Sequence, residues 1–224
     1  MINVGFIGAG DISLLHYEAI QNCNDSNLKG IWTRTKENNI SKSKLYNCLS
    51  YDSAEDLIND NSIDCIFILT NYETHHYYAK MALEKGKHVL IEKPTAKNVN
   101  EIEDILNLST KKNLQCMPVH NYIYEESMYR TKDLIDNGKL GDIVSFYMLY
   151  NIHHPEEVAK RYPGVIRQIL THHVYTTMFM VGRPQWVSCM RSTINDGTVP
   201  QENLAMATLK MENGSLAHLN ACFR

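Results

Sequence analysis

The fold of this chain is decided by residues 8–13, Gly8-Ala9-Gly10-Asp11-Ile12-Ser13, which follow an apolar strand pattern, Asn3–Ile7, and open a helix pattern, Ile12–Asn22. Gly8 permits a tight turn, and Gly10 lets the backbone approach a pyrophosphate held at the helix N-terminus. Ser13 stands at the third glycine position of GxGxxG, where a small side chain packs the helix against the strand. The pattern predicts a dinucleotide-binding turn, with an ordinary strand–helix turn as the alternative. The candidate cofactor contacts in this turn are Gly8, Gly10, Asp11 and Ile12.

The first half of the chain alternates apolar runs with helical patterns, which is typical of βαβ units and a parallel sheet. We therefore predict an α/β fold with an N-terminal Rossmann domain over residues 1–121. The predicted strands are Asn3–Ile7, Leu28–Thr33, Asp64–Leu69, His88–Ile91 and Leu114–Val119. The predicted helices are Ile12–Asn22, Ser53–Asn59, Thr74–Lys85 and Asn100–Lys111, with Ser53 and Asp56 as a capping box and Gly86 as a helix end.

In the second half, residues 122–224, the pattern of helix and strand signals predicts an α+β domain with a mainly antiparallel open sheet. Asn213-Gly214 is a strong hairpin turn between two of its strands, and Gly182 followed by Pro184 ends a long helix. The predicted helices are Ser127–Asn137 and Val165–Val181, and the predicted strands are Ile143–Tyr150, Trp186–Arg191, Leu204–Met211 and Ser215–Cys222.

Composition excludes several classes of function. The 224 residues carry a net charge of -3, which gives no electrostatic footprint for nucleic acid or an anionic membrane. No apolar run is long enough to span a bilayer and no signal peptide is visible, so we expect a cytoplasmic protein. The 6 scattered cysteines suggest reduced core thiols. The pairs His75-His76, His153-His154 and His172-His173 lack metal-ligand spacing, so no metal site is expected.

The residues after the second strand bear on the choice of dinucleotide. An acidic side chain there binds the ribose 2′-hydroxyl of NAD, whereas a basic one accommodates the 2′-phosphate of NADP. The sequence Trp32-Thr33-Arg34-Thr35-Lys36 has no acid and two cations. It favours NADP, with Thr33 and Arg34 as contacts. NAD is the alternative, in which Arg34 and Lys36 are solvated loop charges.

Two later segments are more specific. Thr70-Asn71-Tyr72-Glu73-Thr74-His75 follows the third predicted strand, and Gly86-Lys87-His88-Val89-Leu90-Ile91-Glu92-Lys93-Pro94 follows the next helix. Together with the glycine loop, His16, Gly164 and His172, they occur in the order found in the Gfo/Idh/MocA oxidoreductases, and the chain resembles that family over essentially its whole length. The resemblance implies cofactor contacts at Thr70, Asn71, His75, Glu92 and Lys93.

The resemblance also implies catalytic residues. It places Lys93 beside the nicotinamide and substrate, where an ammonium stabilises a developing alkoxide. It gives His172 the role of general base, with an Asp or Asn expected four residues earlier. That position holds Gln168, which can donate a hydrogen bond but cannot carry a proton. Spacing of four places Gln168 and His172 on one face of an α-helix.

The sequence therefore predicts an NAD(P)-dependent oxidoreductase that transfers a hydride to or from a secondary alcohol or ketone of a sugar- or polyol-like substrate. Tyr122-Ile123-Tyr124 replaces the family's frequent Arg-Phe, which makes a sugar phosphate less expected. The alternatives are a redox-assisted glycosidase or lyase and a dinucleotide-binding regulator without turnover. Since family members have longer second domains, we expect this one to be incomplete. Its hairpin Leu204–Cys222 should then expose alternating Leu, Ala and Met residues and drive homo-oligomerisation.

Overall fold

The computed structural model describes residues 1–194 and 201–223, and contacts within it divide the chain into two units, Met1–Val119 and His120–Arg224. The first unit is built on a six-stranded sheet in the order β3-β2-β1-β4-β5-β6, with every pairing parallel. Its strands are β1 (Ile2–Ile7), β2 (Ser26–Trp32), β3 (Leu49–Ser50), β4 (Cys65–Ile68), β5 (His88–Ile91) and β6 (Cys116–Pro118).

Helices connect these strands and cover the sheet. They are α1 (Ser13–Gln21), α2 (Lys36–Leu45), α3 (Ala54–Asn59), α4 (His75–Glu84) and α5 (Val99–Lys112), with a 3₁₀ turn at Tyr72–Thr74. The core between sheet and helices is aliphatic: Ile7, Ile66, Ile68 and Ile91 are all fully buried. Because strand order reverses between β1 and β4, the crevice at their carboxyl ends is where an open parallel sheet binds ligands.

Local signals explain where several helices begin and end. Ser53 Oγ accepts the backbone N–H of Asp56 at 2.9 Å and so caps α3, as predicted. Gly86, with φ +79, follows the end of α4 in a conformation that favours glycine. Helix α2 was not predicted, because its sequence, KENNISKSKL, lacks an apolar stripe.

The second unit contains a four-stranded sheet in the order β7-β10-β9-β8. The pairings β10–β9 and β9–β8 are antiparallel, so the sheet is mainly antiparallel, as predicted, and the parallel pairing of β10 with β7 makes it a mixed sheet. Its strands are β7 (Ser145–Asn151), β8 (Pro184–Ser192), β9 (Leu204–Met211) and β10 (Leu216–Cys222). Its helices are α6 (Glu126–Asp136), α7 (Glu156–Ala159) and α8 (Thr171–Val181), with a 3₁₀ turn at Asn121–Tyr124 and a π turn at Ile166–Leu170.

The buried and exposed faces of this sheet are not the ones predicted from the hairpin Leu204–Cys222. The alternating face that includes Ala205, Leu209 and Leu219 is buried against Val165 and Ile169, so the expectation that it is uncovered is wrong. The opposite face is exposed, and β8 is exposed on both of its faces. We call this opposite face the open sheet face; it includes Tyr147, Leu149, Trp186, Met190 and Met206.

The segment predicted as one α-helix over Val165–Val181 is interrupted. Thr171 N–H bonds to the carbonyl of Ile166, five residues earlier, which makes the first part a π turn before α8 begins. Gln168 therefore lies in a π turn and not in an α-helix, and its placement on one face with His172 stays a prediction.

Two further findings concern the whole of the described chain. All 6 cysteines are free thiols. Cys48 and Cys116 are partly buried against core clusters, whereas Cys23 and Cys189 are exposed, so the expected core position does not hold for these two. Over residues 1–194 and 201–223, no helix combines the length and apolar character that crossing a membrane requires.

Candidate functional site

A cleft of about 320 Å³ lies in the first unit where β1, β2 and β4 end. Its floor is the glycine loop after β1, and its walls come from the segments that follow β2 and β4. The lining residues are Gly8, Ala9, Gly10, Trp32, Thr33, Arg34, Thr35, Asn38, Leu69, Thr70, Asn71, Thr74 and Tyr78. This is the crevice expected from the strand order, and its size suits a part of a dinucleotide.

The two glycines of the loop are constrained differently. Gly8 has φ +96, and a Cβ there would lie 2.8 Å from the backbone of Leu69. Gly10 has no positive φ, and a Cβ there would meet no protein atom within 4 Å. The protein's own packing therefore requires glycine at Gly8 but not at Gly10. Open space above Gly10, next to the start of α1, fits a pyrophosphate that approaches the backbone closely.

The segment after β2 forms the rim of the cleft. Thr33 N–H donates to Asn39 Oδ1 at 3.1 Å, and the buried Asn39 amide donates to Tyr51 O at 2.8 Å. These hydrogen bonds fix the backbone of the segment. Arg34 is exposed at the rim. None of the described residues that line the cleft is acidic.

The Glu92-Lys93-Pro94 segment follows β5, and the Lys93–Pro94 peptide is cis. Glu92 is buried and uses both carboxylate oxygens: Oε1 lies 2.9 Å from His16 Nε2, and Oε2 accepts Lys93 N–H at 3.0 Å. Burial lowers the pKa of Lys93, and the neighbouring Glu92 carboxylate opposes this shift. Glu92 therefore joins helix α1 to the backbone that carries Lys93.

His75 ties the same segment to β4. Its Nε2 lies 2.9 Å from Thr70 O and its Nδ1 lies 2.9 Å from Pro94 O, and the ring is 1% exposed. Burial lowers the pKa of His75, although both carbonyl contacts favour the protonated ring. Because both nitrogens face backbone carbonyls, His75 links two loops rather than presenting its ring to the cleft.

His172 lies near the start of α8 in the second unit and is 6% exposed. Its Nδ1 lies 2.6 Å from Tyr175 Oη, and the Tyr122 ring stacks on it with centroids 4.3 Å apart. The His120 ring stacks on Tyr175 at 4.2 Å. Burial lowers the pKa of His120 and raises that of Tyr122, so this aromatic cluster is a poorly solvated environment.

The predicted site residues thus fall into three groups. The residues that line the cleft are Gly8, Gly10, Thr33, Arg34, Thr70 and Asn71. Five predicted residues lie outside the lining of the cleft. Asp11 and Ile12 are exposed and directly follow Gly10. Glu92 and Lys93 belong to the segment after β5, and His75 contacts that segment at Pro94 O. His172 and Gln168 belong to the second unit, where Gln168 is half-buried in the π turn.

Sequence reasoning missed three of the residues that shape these regions. Asn38 and Tyr78 line the cleft from α2 and α4, and the Asn38 side chain donates to Ala9 O at 3.4 Å. Tyr175 stands three residues after His172, a spacing that brings side chains together on an α-helix and could have indicated the contact. Among residues 1–194 and 201–223, no group of three or more potential metal ligands is assembled.

Family comparison accounts for both units. Residues 2–120 match the family described as "Oxidoreductase family, NAD-binding Rossmann fold", and residues 128–224 match the GFO/IDH/MocA C-terminal domain. The chain belongs to the GFO/IDH/MocA oxidoreductase family. The predicted resemblance is therefore confirmed, and so is the fold class: a Rossmann unit followed by a GFO/IDH/MocA C-terminal domain with a mixed sheet.

Individual GFO/IDH/MocA proteins share moderate identity with this chain. "Uncharacterized oxidoreductase YhhX" of Escherichia coli strain K12 is 28% identical over 195 residues, 84% of this chain and 56% of YhhX. "scyllo-inositol 2-dehydrogenase (NADP(+)) IolW" of Bacillus subtilis strain 168 is 25% identical over 221 residues, 94% of this chain and 61% of IolW. The chain therefore spans less than two-thirds of the length of these relatives.

A solved structure shows the same fold. The WlbA dehydrogenase from Bordetella pertussis, in complex with NADH and UDP-GlcNAcA, superposes with a TM-score of 0.92 at 20% identity. The match covers 99% of this chain and 71% of that one.

Proposed function

We propose that the chain is an NADP(H)-dependent oxidoreductase that transfers a hydride between nicotinamide and a secondary alcohol or ketone of a sugar- or polyol-like substrate. The observation that carries the proposal is the cleft, which joins an open glycine loop to a rim with Arg34 and no acidic lining residue. An arginine at this position pairs with a 2′-phosphate, whereas NAD recognition uses a carboxylate. The relative IolW is named an NADP(+) enzyme, which agrees with this choice of cofactor.

The cofactor would be held by residues of three segments. Gly8, Gly10, Asp11 and Ile12 would surround the pyrophosphate, Thr33 and Arg34 the adenosine ribose, and Thr70 and Asn71 the other side of the cleft. When bound, the dinucleotide supplies the hydride donor or acceptor. The internal hydrogen bonds of His75 and Glu92 favour a supporting role for both, in which they fix the backbone on either side of Lys93.

Lys93 and His172 have complementary roles in this proposal. Lys93 stabilises negative charge on the substrate oxygen through its ammonium group. His172 accepts the hydroxyl proton when the alcohol is oxidised and returns it when the ketone is reduced. Gln168, which has no titratable proton, acts as a hydrogen-bond donor or acceptor in the same unit.

The substrate class follows from the surroundings of His172. Tyr122, Tyr175 and His120 form a neutral aromatic environment around it. Aromatic faces and hydroxyls suit a polyol, which offers C–H edges and hydroxyl groups, better than they suit a phosphate dianion. We therefore propose a neutral sugar or polyol.

A titration tests cofactor choice without any substrate. The fluorescence of NADPH and NADH is followed on addition of the 224-residue chain, and tighter binding of NADPH is expected. Arg34→Ala should cost about 1.5–3 kcal/mol of NADPH binding, the strength of a charge-assisted hydrogen bond, and leave NADH binding unchanged. Lys36→Ala, which removes a nearby cation outside the cleft lining, is the matched control. Equal affinities for the two cofactors would contradict the NADP preference.

A turnover assay then tests the reaction. The chain is incubated with NADP⁺ or NAD⁺ and a panel of inositols, aldoses and their phosphates, and the absorbance of reduced nicotinamide is recorded. Net formation of NADPH from a polyol supports the oxidoreductase. Release of an aglycone without net cofactor consumption would indicate a redox-assisted glycosidase or lyase. Tight NADPH binding with no turnover on any member of the panel would favour a regulator.

A further inference from the structure

His16 lies near the start of α1, just beyond the glycine loop that forms the floor of the cleft. Its backbone N–H donates to Ile12 O at 3.4 Å, and Ser13 N–H donates to Gly10 O at 3.1 Å. The side chain of His16 is only 13% exposed. The helical turn that carries His16 is therefore hydrogen-bonded to the loop that faces the cleft.

Two phenylalanine rings fix the orientation of the imidazole. Phe6 of β1 and Phe67 of β4 stack on each other with centroids 5.6 Å apart. The His16 ring meets both of them edge-on, with its centroid 6.4 Å from that of Phe6 and 5.7 Å from that of Phe67. Edge-to-face packing restricts rotation of the ring, and in this orientation Nε2 lies 2.9 Å from Glu92 Oε1.

Glu92 transmits the position of His16 to the backbone. Its own N–H donates to Ile68 O at 3.0 Å, which fixes the Glu92 backbone to β4, and its side chain is 11% exposed. An ionised carboxylate can only accept hydrogen bonds, so His16 Nε2 is the donor to Oε1. Glu92 Oε2 accepts Lys93 N–H at 3.0 Å. Because both oxygens belong to one planar group, the bond from His16 sets the direction in which Glu92 holds the Lys93 peptide.

We propose that His16 is a positioning residue that orients Glu92, and through Glu92 the backbone of Lys93, so that occupation of the glycine loop is coupled to the placement of Lys93. The inference rests on the proposed function, in which the loop holds the pyrophosphate and the Lys93 ammonium stabilises the substrate oxygen. His16 acts through Glu92, because its ring does not line the cleft. Small displacements of a reacting group lower turnover strongly, which gives such a link a function.

Hydrogen exchange of the Lys93 amide tests the link without substrate or cofactor. The full chain is labelled with ¹⁵N-lysine, and single Lys→Arg variants identify the signals. His16→Phe keeps an aromatic ring but removes the donor, so the Lys93 amide should exchange about tenfold faster, the factor that corresponds to one ordinary hydrogen bond. The reference is the amide of Lys87, which donates to Ala82 O at 3.0 Å.

Two further variants make the result specific. His16→Gln restores an N–H donor at a similar reach and should return the exchange of the Lys93 amide to normal. His76→Phe is the matched control, because it removes a histidine–carboxylate contact elsewhere in the first unit, where His76 Nε2 lies 2.7 Å from Asp104 Oδ2. It should leave the Lys93 amide unchanged.

Addition of NADPH tests the coupling. NADPH should slow exchange of the Lys93 amide in the unaltered chain and in His16→Gln, but not in His16→Phe. On whichever panel substrate is turned over, His16→Phe should lower kcat about tenfold and leave KM for that substrate nearly unchanged. A purely structural role for His16 would lower the melting temperature without this difference between kcat and KM.

His16→Met covers the case in which His16→Phe does not fold, since methionine fills an apolar gap and has no donor. Normal exchange of the Lys93 amide in whichever of these two variants folds overturns the proposal, and so does slowing by NADPH that persists in it. If the chain binds no NADPH but His16→Phe still exposes the Lys93 amide, the proposed function is refuted while the link from His16 to Lys93 stands.

Discussion

Gly8 and Gly10 are glycines for different physical reasons. Gly8 has a left-handed φ of +96, and a Cβ there would lie 2.8 Å from the Leu69 backbone, so the folded chain itself requires glycine at this position. At Gly10 a methyl group would enter open space above the loop. The stability of the fold therefore depends on Gly8. According to the proposed function, binding of the cofactor depends on Gly10.

Substitution by alanine separates the two. Gly10→Ala should leave the melting temperature nearly unchanged and weaken NADPH binding at least tenfold, because its methyl group occupies the space assigned to the pyrophosphate. Gly8→Ala should lower the free energy of unfolding by about 1–3 kcal/mol, the usual cost of a strained backbone position. Thermal melts and NADPH titrations of both variants measure this. Normal NADPH affinity in Gly10→Ala would remove the pyrophosphate from this position.

The charge of Lys93 also depends on its surroundings. Burial lowers the pKa of Lys93, so the ammonium form is present below that pKa and is lost as pH rises through it. If the ammonium stabilises the substrate oxygen, activity should decline toward alkaline pH earlier than an exposed lysine would allow. A neutral Lys93 acting as a base would give the opposite slope, with activity rising as pH increases.

Two variants test the role of Lys93 on whichever panel substrate is turned over. Lys93→Met should lower kcat about 10²–10³-fold at every pH, because the charge is lost outright. Lys93→Arg should keep part of the activity and move the alkaline decline to higher pH, since a guanidinium stays protonated. The melting temperature, measured in parallel, is the control for folding. A Lys93→Met enzyme with near-normal kcat would exclude Lys93 from the reaction.

Ser13 connects two elements of the first unit. Its hydroxyl donates to Gly10 O at 2.6 Å and lies 2.7 Å from Tyr46 Oη, and both side chains are buried. Tyr46 directly follows α2 and stacks on Tyr17 of α1, with ring centroids 4.6 Å apart. The serine that replaces the third glycine of the motif thus joins the start of α1, the glycine loop and the end of α2.

Tyr46→Phe tests this connection. The buried Ser13 Oγ would lose the Tyr46 hydroxyl as its hydrogen-bond donor, which should lower the free energy of unfolding by about 1–3 kcal/mol. NADPH affinity should fall as well, because the Gly10 carbonyl is less firmly held. Denaturant titrations and NADPH binding measure the two effects, with the exposed Tyr77→Phe as control. Unchanged stability in Tyr46→Phe would mean that the hydrogen bond contributes nothing net.

Some elements could be predicted from sequence and others could not. The predicted strands His88–Ile91 and Leu204–Met211 coincide with β5 and β9, because apolar runs bounded by turn residues are local signals. The π turn was missed, because one inserted backbone residue leaves the apolar pattern of a helix almost unchanged. The parallel pairing of β10 with β7 depends on contacts between distant segments, which periodicity does not encode.

The site was predictable to a similar degree. The residues of the cleft that sequence reasoning found, such as Gly8, Arg34 and Thr70, follow strands directly, and the carboxyl ends of parallel strands meet at one edge. Asn38 and Tyr78 reach the cleft from helices, so their role depends on how those helices pack. Tyr175 was missed because a tyrosine on an apolar helix is usually core.

The open sheet face exposes several large apolar side chains. Leu149 is 71% exposed, Met190 79% and Met206 52%. They share the face with Tyr147 and Trp186, because side chains alternate along each strand. Large apolar side chains on one exposed face, interspersed with polar ones such as Asn220 and Thr208, suit a protein–protein interface. We propose that two copies of the chain associate through it.

Sedimentation velocity at tens of micromolar checks this association. The unaltered chain should sediment as a dimer or larger species, and Leu149→Lys combined with Met206→Lys should shift it toward monomer, because buried lysines are costly. Val99→Lys, at an exposed apolar position of α5 in the first unit, should change nothing. A monomeric unaltered chain would show that this face does not mediate self-association.

The parallel pairing of β7 with β10 has a consequence for synthesis on the ribosome. Ser145 pairs with Leu216, so β7 has no partner on that edge until almost the whole described chain has been translated. At about 5–20 residues per second, the interval between the two strands lasts several seconds. During that time Tyr147 and Leu149 belong to an unpaired, apolar strand, which is the kind of segment that nascent-chain chaperones bind and that aggregates without them.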